Sequence, residues 1–143
     1  MTFYSEQIQK IKKEFYPKDY LAKQVIGAKQ YIDRQFADNI NLTDLAACAF
    51  MSKFHFIRLF KLLYGETPHQ YLVTVRIENA KRLLNSDRSI SEVCTAVGFN
   101  SPTSFTGLFK KITGVTPTTF KKKINRKAIF KRHNYKSMMT FAQ

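Results

Sequence analysis

The chain has 143 residues, enough for one domain or two small ones, and a hydrophobic fraction of 44% that can support a packed core. Its net charge of +14 and isoelectric point near 9.9 favour a polyanionic partner. No apolar run is long enough to span a bilayer, and Met1 is not followed by a signal-peptide pattern. These properties disfavour a membrane or secreted protein, and we expect a cytoplasmic one.

The first segment, residues 2–16, carries an apolar stripe at helical spacing beside several lysines, and Pro17 ends it. The stripe is short for a coiled coil. A helix packed on its own domain is therefore favoured over a dimerisation helix or a linker from an upstream domain. Residues 20–36 follow as a full-length amphipathic helix, which we expect to cover the core of the next segment.

The next segment contains two short helices with clear capping signals. Asn41 caps a helix over 42–49, and Ser52 caps a second helix over 53–63 that Gly65 ends. The predicted core stripe of the second helix is Phe56, Leu59, Phe60 and Leu63. A capping box at Thr67 and Gln70 then opens a long helix that runs to about residue 85.

A second pair of short helices follows this long helix. Ser89 caps a helix over 90–97, which Gly98 ends, and Ser101 caps another over 102–112 with Pro102 at its first position. Gly114 ends the second helix, and a further one starts at Pro117. The predicted core stripe is Phe105, Leu108, Phe109 and Ile112.

The two pairs of helices are copies of one helix-turn-helix motif. Their second helices align at a constant offset of 49 residues, which pairs Phe56 with Phe105 and Gly65 with Gly114. Their first helices align at an offset of 48, so the second turn carries one extra residue, Asn100. This repeat predicts an all-α fold.

The repeated segments resemble the DNA-binding region of AraC/XylS-type bacterial transcription regulators, from about residue 20 to residue 120. The resemblance implies two helix-turn-helix subdomains joined by a long linker helix, which bind adjacent major-groove segments of double-stranded DNA. It rests on 90–97, Gly98-Phe99, Phe105, Phe109-Lys110-Lys111, Gly114, Thr116-Pro117 and Phe120, supported by 52–61 in the first copy.

We expect five segments along the chain. They are an N-terminal amphipathic segment (1–19), a first helix-turn-helix subdomain (20–66), a connecting helix (67–88), a second helix-turn-helix subdomain (89–120) and a basic tail (121–143). The last 51 residues, 93–143, contain ten Lys or Arg and no acid. Ile124, Ala128 and Phe130 extend a last helix whose end we expect to be frayed. Its charges are either simply solvated or bind phosphates.

The outward face of each second helix is the expected DNA contact, since an α-helix fits the major groove. Arg58 can form a bidentate contact with guanine, and Phe54 and Ile57 can contact a thymine methyl, although core packing is the alternative for these two. His55 could bond to a phosphate, to a base or to its own helix end. In the first copy the base-reading residues are Phe54, His55, Ile57 and Arg58, and the backbone contacts are Ser52, Lys53 and Lys61.

The matching face of the second copy departs from the family pattern. Gly107 stands where the first copy has Arg58, and the resemblance leads us to expect a long polar side chain there. We therefore expect the second motif to bind mainly through phosphates and fit. Phe50 in turn stands where the second copy has Gly98, so it must leave the left-handed region or bear strain. In the second copy the base-reading residues are Pro102, Thr103, Ser104, Thr106 and Gly107, and the backbone contacts are Ser101, Lys110 and Lys111.

Other classes of function have weaker support. An enzyme is disfavoured because the three histidines have no partner at metal-ligand spacing and no phosphate loop or nucleophile elbow is present. We expect no catalytic residue, no metal and no cofactor. Cys48 and Cys94 are expected to be buried, reduced thiols. A sequence-tolerant architectural DNA binder and, less favoured, a basic membrane-surface protein stay open as alternatives.

The resemblance also implies partners other than DNA. RNA polymerase is a candidate, and the family usually carries a ligand-sensing or dimerisation domain. No segment of this sequence is large enough to be such a domain. The sequence is therefore either a compact regulator or the DNA-binding part of a longer one. It leaves activation or repression open.

Overall fold

The computed structural model describes Phe3, Glu6 and residues 18–141, and the elements of this part of the chain are all α-helices. The all-α prediction is confirmed for these residues, whereas most of the N-terminal stripe over 2–16 lies outside them. The helices are α1 (Lys18–Gln35), α2 (Leu42–Cys48), α3 (Lys53–Tyr64), α4 (Pro68–Leu83), α5 (Ile90–Ala96), α6 (Pro102–Thr113) and α7 (Pro117–Phe141).

The chain forms two compact units, the first ending at Leu72 and the second beginning at Val73, inside α4. In the first unit, α3 packs on α1 and on α2. In the second unit, α6 packs on α5 and on α7. The expected helix pairs, α2 with α3 and α5 with α6, are present within one residue of their predicted bounds.

The core of the first unit is built from the faces that the sequence periodicity indicates. Phe56 and Phe60 of α3 are completely buried, and their ring centroids are 5.9 Å apart in an edge-on arrangement. The predicted role of α1 is confirmed, because its apolar face lies in this core. The α1 residues buried there are Val25, Ala28 and Ile32, with Leu21 and Phe36 packed at the margin.

A polar cluster ties α1 to the start of α4 in the first unit. The Tyr71 hydroxyl donates a hydrogen bond to the Asp33 carboxylate, and Lys29 Nζ lies 3.0 Å from the same carboxylate. The Lys29 ammonium also lies over the ring of Tyr71, 5.5 Å from its centroid, and over that of Tyr64. Its hydrogen bonds to Asp33 and Tyr71 raise the pKa of Lys29. The pKa of Tyr71 is raised mainly by burial and also by its hydrogen bond to Asp33.

The second unit repeats the aromatic packing of the first. Phe105 and Phe109 of α6 are completely buried, with ring centroids 5.8 Å apart. Phe120 adds a third ring, 5.4 Å from that of Phe109. The other fully or nearly fully buried residues of this unit include Ile77, Ala80, Leu84, Val93, Val97 and Pro117.

Two predicted core residues are exposed, and two others, Leu59 and Leu108, are half-buried. Leu63 is 45% exposed and Ile112 is 42% exposed, so their assignment to the core stripes is wrong. Both lie in the last turn of a twelve-residue helix, whereas the helix before each is only seven residues long. Apolar spacing places a residue on the core side of its helix, but burial also requires that neighbouring elements reach it, and cover is incomplete at these two helix ends.

The two cysteines also differ from each other. Cys94 is buried as expected, and burial raises the pKa of its thiol. Cys48 is exposed, so the prediction for it is wrong. The 48-residue offset aligns Cys94 with the buried Ala46, whereas Cys48 lies at the end of α2, away from the residues that face α3.

The basic tail differs from its expectation as well. The tail was expected to fray, yet α7 continues for 25 residues to Phe141. After Pro117 the chain has no further glycine or proline, and its Lys, Arg and Ala residues favour a helix. The helix therefore has no stop signal over this stretch.

Candidate nucleic-acid interface

Helix α3 begins with a cap that fixes its first turn. The Ser52 side chain accepts a hydrogen bond from the His55 N–H at 3.2 Å, as expected of an N-cap residue. The side chains of Lys53, Phe54 and His55 are exposed on this first turn. An exposed first turn is the part of such a helix that meets base edges in the major groove.

The outward face of α3 carries most of the residues predicted for the first motif. The Phe54 side chain is 79% exposed, which excludes the alternative of core packing. Arg58 and Lys61 are also exposed, one and two turns further along the helix. Ile57 is half-buried at the edge of this face, so it can offer only part of its surface to a partner.

One residue of this face was missed by the sequence analysis. Leu62 is 78% exposed and lies four residues after Arg58, which in turn lies four after Phe54. Residues at this spacing are neighbours on one side of a helix. The signal that was missed is the four-residue spacing of Phe54, Arg58 and Leu62, which places Leu62 outside the predicted core stripe.

Helix α6 has the same cap and a different outward face. The Ser101 side chain accepts a hydrogen bond from the Ser104 N–H at 3.3 Å, and Pro102 occupies the first helical position. Thr103 and Ser104 are exposed in the first turn, while Thr106 is half-buried. This face therefore offers hydroxyl groups where α3 offers an aromatic ring and an imidazole.

Gly107 leaves an open space on the α6 face. A Cβ atom built on this residue would meet no heavy atom within 4 Å. Steric crowding at the Cβ position therefore does not explain the glycine, which is itself exposed. The cations of α6, Lys110 and Lys111, are exposed in the last turn, past this gap.

The turns before the two outward helices both begin with a left-handed residue. Phe50 has φ 57° and Gly98 has φ 95°, so both adopt the left-handed conformation. The next residue in each turn, Met51 or Phe99, donates its N–H to the carbonyl five residues earlier, at 3.0 and 3.1 Å. Phe50 thus bears the strain that was one of its two expected outcomes, and its ring is 83% exposed.

Arg76 is a half-buried basic residue that packs on an aromatic ring. Its guanidinium group lies over the ring of Phe99, 5.7 Å from the centroid, and burial lowers its pKa. We therefore leave it out of the candidate DNA contacts.

No helix among the described residues is both long and apolar enough to cross a membrane.

Comparison with known proteins places this architecture in a family. The model of the helix-turn-helix domain matches residues 45–123, from the middle of α2 to the start of α7, which include the second motif and most of the first. This chain belongs to the AraC-type helix-turn-helix family. The sequence resemblance is thereby confirmed.

A solved structure supports the assignment. The DNA-binding domain of AdpA, in complex with a target DNA, is similar over 75% of this chain and 94% of that domain. The TM-score is 0.64 and the sequence identity is 34%. The shared fold is therefore that of a domain crystallised on DNA.

Longer relatives share the same region. The MmsAB operon regulatory protein of Pseudomonas aeruginosa is 34% identical over 101 residues, 70% of this chain and 33% of that protein. The bifunctional transcriptional activator and DNA repair enzyme AdaA of Bacillus subtilis is 36% identical over 93 residues, 64% of this chain and 44% of that protein. This chain thus spans less than half the length of either relative.

Proposed function

We propose that this protein binds double-stranded DNA in a sequence-dependent way through α3 and α6 and thereby regulates transcription. The observation that carries the proposal is the duplicated motif itself. Each copy buries one side of its second helix in a phenylalanine core and leaves the opposite side exposed. A capped helix with such an exposed side is the element that helix-turn-helix proteins insert into the major groove.

The first motif supplies the main base contacts in this proposal. The Arg58 guanidinium can donate two hydrogen bonds to guanine O6 and N7, and the exposed Phe54 ring can pack against a thymine methyl. Lys53 and Lys61 flank these residues and can neutralise phosphates. His55 and the accessible part of Ile57 complete the set.

The second motif contributes more phosphate binding than base selection. Thr103 and Ser104 can donate hydrogen bonds to phosphate or base oxygens, but Gly107 offers no side chain. Lys110 and Lys111 supply positive charge at the other end of the helix. The expectation that this motif binds mainly through phosphates therefore stays part of the proposal.

The relatives support a regulatory role and suggest further partners. The names of the MmsAB regulator and of AdaA place both in transcriptional control, and AdpA was crystallised with a target DNA. We therefore propose a cytoplasmic regulator without catalytic activity of its own. A sensing or dimerisation domain on a longer chain, and contact with RNA polymerase, are further parts of this proposal.

The second candidate is an architectural DNA binder with little sequence preference. The missing side chain at Gly107 favours it, because a motif without a base-contacting cation depends on shape and charge. The experiment is to select bound sites from a random DNA pool and then to measure competition between a selected site and random-sequence DNA. We expect the selected site to bind at least a hundredfold more tightly, since specific complexes typically exceed non-specific ones by ~10³ or more. Equal competition would establish the architectural alternative.

Footprinting on the selected site tests whether both motifs bind. Adjacent major-groove faces recur about every 10 base pairs, so two bound motifs should protect about two helical turns. Protection of a single groove segment would show that one motif suffices. The lack of a side chain at Gly107 would then make α6 the motif that does not bind.

A further inference from the structure

Helix α7 continues well past the segment that defines the family. The family match ends at residue 123, whereas the helix runs to Phe141. The part beyond the match contains five cations and no acid, and the last acid in the sequence is Glu92. These cations are Arg126, Lys127, Lys131, Arg132 and Lys136. This extension is therefore a strongly basic element that the helix-turn-helix motifs do not account for.

The cations of the extension are arranged unfavourably for a free helix. Lys123 and Lys127 lie four residues apart, as do Lys127 and Lys131, and all three side chains are exposed. Like charges at this spacing oppose helix formation, and no acid on α7 can compensate them. A polyanion that ran along the helix would remove this repulsion.

We propose that the basic surface of α7, defined as Lys122, Lys123, Arg126, Lys127, Lys131 and Arg132, binds the phosphates of the same DNA duplex that the two motifs bind. The inference rests on the proposed function. It adds a contact that is blind to sequence, because phosphates carry no base information. The surface lies in the same unit as α6, and only three residues separate the two helices.

The size of the surface suits several phosphates. Residues 122–132 of an α-helix span roughly 15 Å, at 1.5 Å per residue. Duplex DNA carries one negative charge per ~1.7 Å of its axis, so this length faces more phosphates than the helix has cations. The phosphates that face the helix can therefore engage several of the six side chains at once.

The distribution of apolar residues favours DNA over a lipid surface. Ile129 and Phe130 are 68% and 67% exposed, but they do not lie on a separate apolar side. Arg126 lies three and four residues before them, and Arg132 lies three residues after Ile129. A helix that lies in a membrane surface needs a continuous apolar side. Cations instead lie among the apolar residues of α7, and most of the basic surface falls within one half of the helix circumference, the side that a duplex could contact.

The test compares double variants in which two cationic side chains are replaced by neutral glutamines. Arg126→Gln with Lys127→Gln, and Lys131→Gln with Arg132→Gln, each remove two charges while keeping a good helix former. The matched control is Lys23→Gln with Arg34→Gln, which removes two exposed charges from α1. Affinity for a selected site and for random DNA is measured across a salt series, and far-UV circular dichroism checks the helix content.

We expect each α7 double variant to lower the slope of log K against log salt by about 1.8, or about 0.9 per lost phosphate contact. The loss should be equal on both DNAs, so that the preference for the selected site is unchanged. The α1 variant should keep the wild-type slope. An equal loss in the α1 variant would mean that total charge is responsible, and the inference would fail.

Two further results would also overturn the inference. Unchanged slopes in both α7 variants would show that the surface does not contact DNA, while the wild-type preference for the selected site would leave the proposed function standing. Loss of binding to anionic phospholipid vesicles, with unchanged DNA slopes, would assign the surface to a membrane instead. A wild-type protein that binds neither DNA would overturn the proposed function and this inference together.

Discussion

The two helix-turn-helix copies share a core and differ on their outward faces. The paired rings of Phe56 and Phe60 are 5.9 Å apart with an interplanar angle of 61°, and those of Phe105 and Phe109 are 5.8 Å apart with an angle of 63°. The outward faces have no such agreement, since Arg58 corresponds to Gly107 in the 49-residue alignment. Close packing restricts which side chains a core can accept, whereas the side chains of an outward face are restricted only by what they bind.

The third aromatic ring of each unit shows how the two cores diverge. Tyr71 lies 5.6 Å from the ring of Phe60 and also binds Asp33 through its hydroxyl, whereas Phe120 fills the matching place with no polar atom. The first unit thus has a side-chain hydrogen bond from Tyr71 to α1, which Phe120 in the second unit cannot form. A ring of the same size can therefore serve packing alone or packing with a hydrogen bond.

The largest expected effect tests whether the two cores are equivalent. Phe60→Ala and Phe109→Ala each remove a completely buried ring, and each should destabilise its own unit by about 3–5 kcal/mol. Thermal and denaturant unfolding of both variants would measure the two losses. The exposed Phe54 provides the control, since Phe54→Ala should change stability by less than about 0.5 kcal/mol.

An unequal result would break the comparison between the cores. If one variant kept most of its stability, its unit would have relaxed around the cavity, or the other unit would be supporting it. The matched ring distances would then not reflect matched energetics.

The next prediction exchanges the side chains on which the outward faces differ. Arg58→Ala should weaken binding to the selected site by about 1–3 kcal/mol and relax the preference at one guanine. Lys110→Ala and Lys111→Ala should instead weaken all DNAs equally and each lower the salt slope by about one. Quantitative binding to the selected site and to variants with single base changes would separate the two behaviours.

Gly107→Arg is the reverse experiment. The position has open space, so the arginine should fit and create a new base preference if α6 lies in a major groove. Gly27→Arg is the matched control, because Gly27 also lies in a helix with open space around it. If Gly107→Arg gains no more on a selected site than Gly27→Arg does, α6 is not in the groove and the second motif does not bind as proposed.

A smaller effect is expected from the two left-handed turn residues. Phe50→Gly should stabilise the first unit by about 1 kcal/mol, because glycine adopts positive φ without the cost that a side chain incurs. The ring is 83% exposed, so little buried area is lost. Gly98→Ala should destabilise the second unit by a similar amount. Unfolding curves in which Phe50→Gly is no more stable than the wild type would show that the Phe50 side chain makes an interaction that offsets the free-energy cost of its positive φ.

The sequence allowed most of the fold to be predicted, because that part of the fold depends on local signals. Ser52, Ser101, Gly65 and Gly114 cap or end their helices where expected, since a cap needs only its own neighbours in the chain. Burial at helix ends was less predictable. Leu63 fits the apolar period but is exposed, because burial depends on which other elements reach the end of α3.

The candidate site was predictable in outline and not in detail. The residues of α3 that do not belong to the core stripe must face outward, which is why Phe54 and Arg58 were predicted correctly as outward residues. Leu62 and the length of α7 were missed, because a leucine is ordinarily assigned to a core and a charged terminus to solvent. The bond from Tyr71 to Asp33 joins residues far apart in the sequence, and no local pattern predicts it.

The smallest expected effect concerns this bond at alkaline pH. The pKa of Tyr71 is raised by burial and by its bond to Asp33, and the pKa of Lys29 is raised mainly by its bond to Asp33. The folded state therefore holds both protons more tightly than the unfolded state does. Their contribution to stability is complete below about pH 10, the usual pKa of tyrosine, and is lost as the pH rises through the raised values.

Tyr71→Phe should make the first unit resemble the second, which has Phe120 at this place. The variant should lose some stability at neutral pH, because a hydrogen bond to a charged group is removed. It should also lose less additional stability than the wild type as the pH rises above about 10, because one of the two titrating groups is gone. Urea unfolding at a series of pH values measures both effects. Tyr31→Phe, which removes an exposed phenol on α1, should follow the wild-type curve. If the wild type and Tyr71→Phe weaken equally with pH, the bond to Asp33 contributes nothing to alkaline stability, and this difference between the two units has no energetic consequence there.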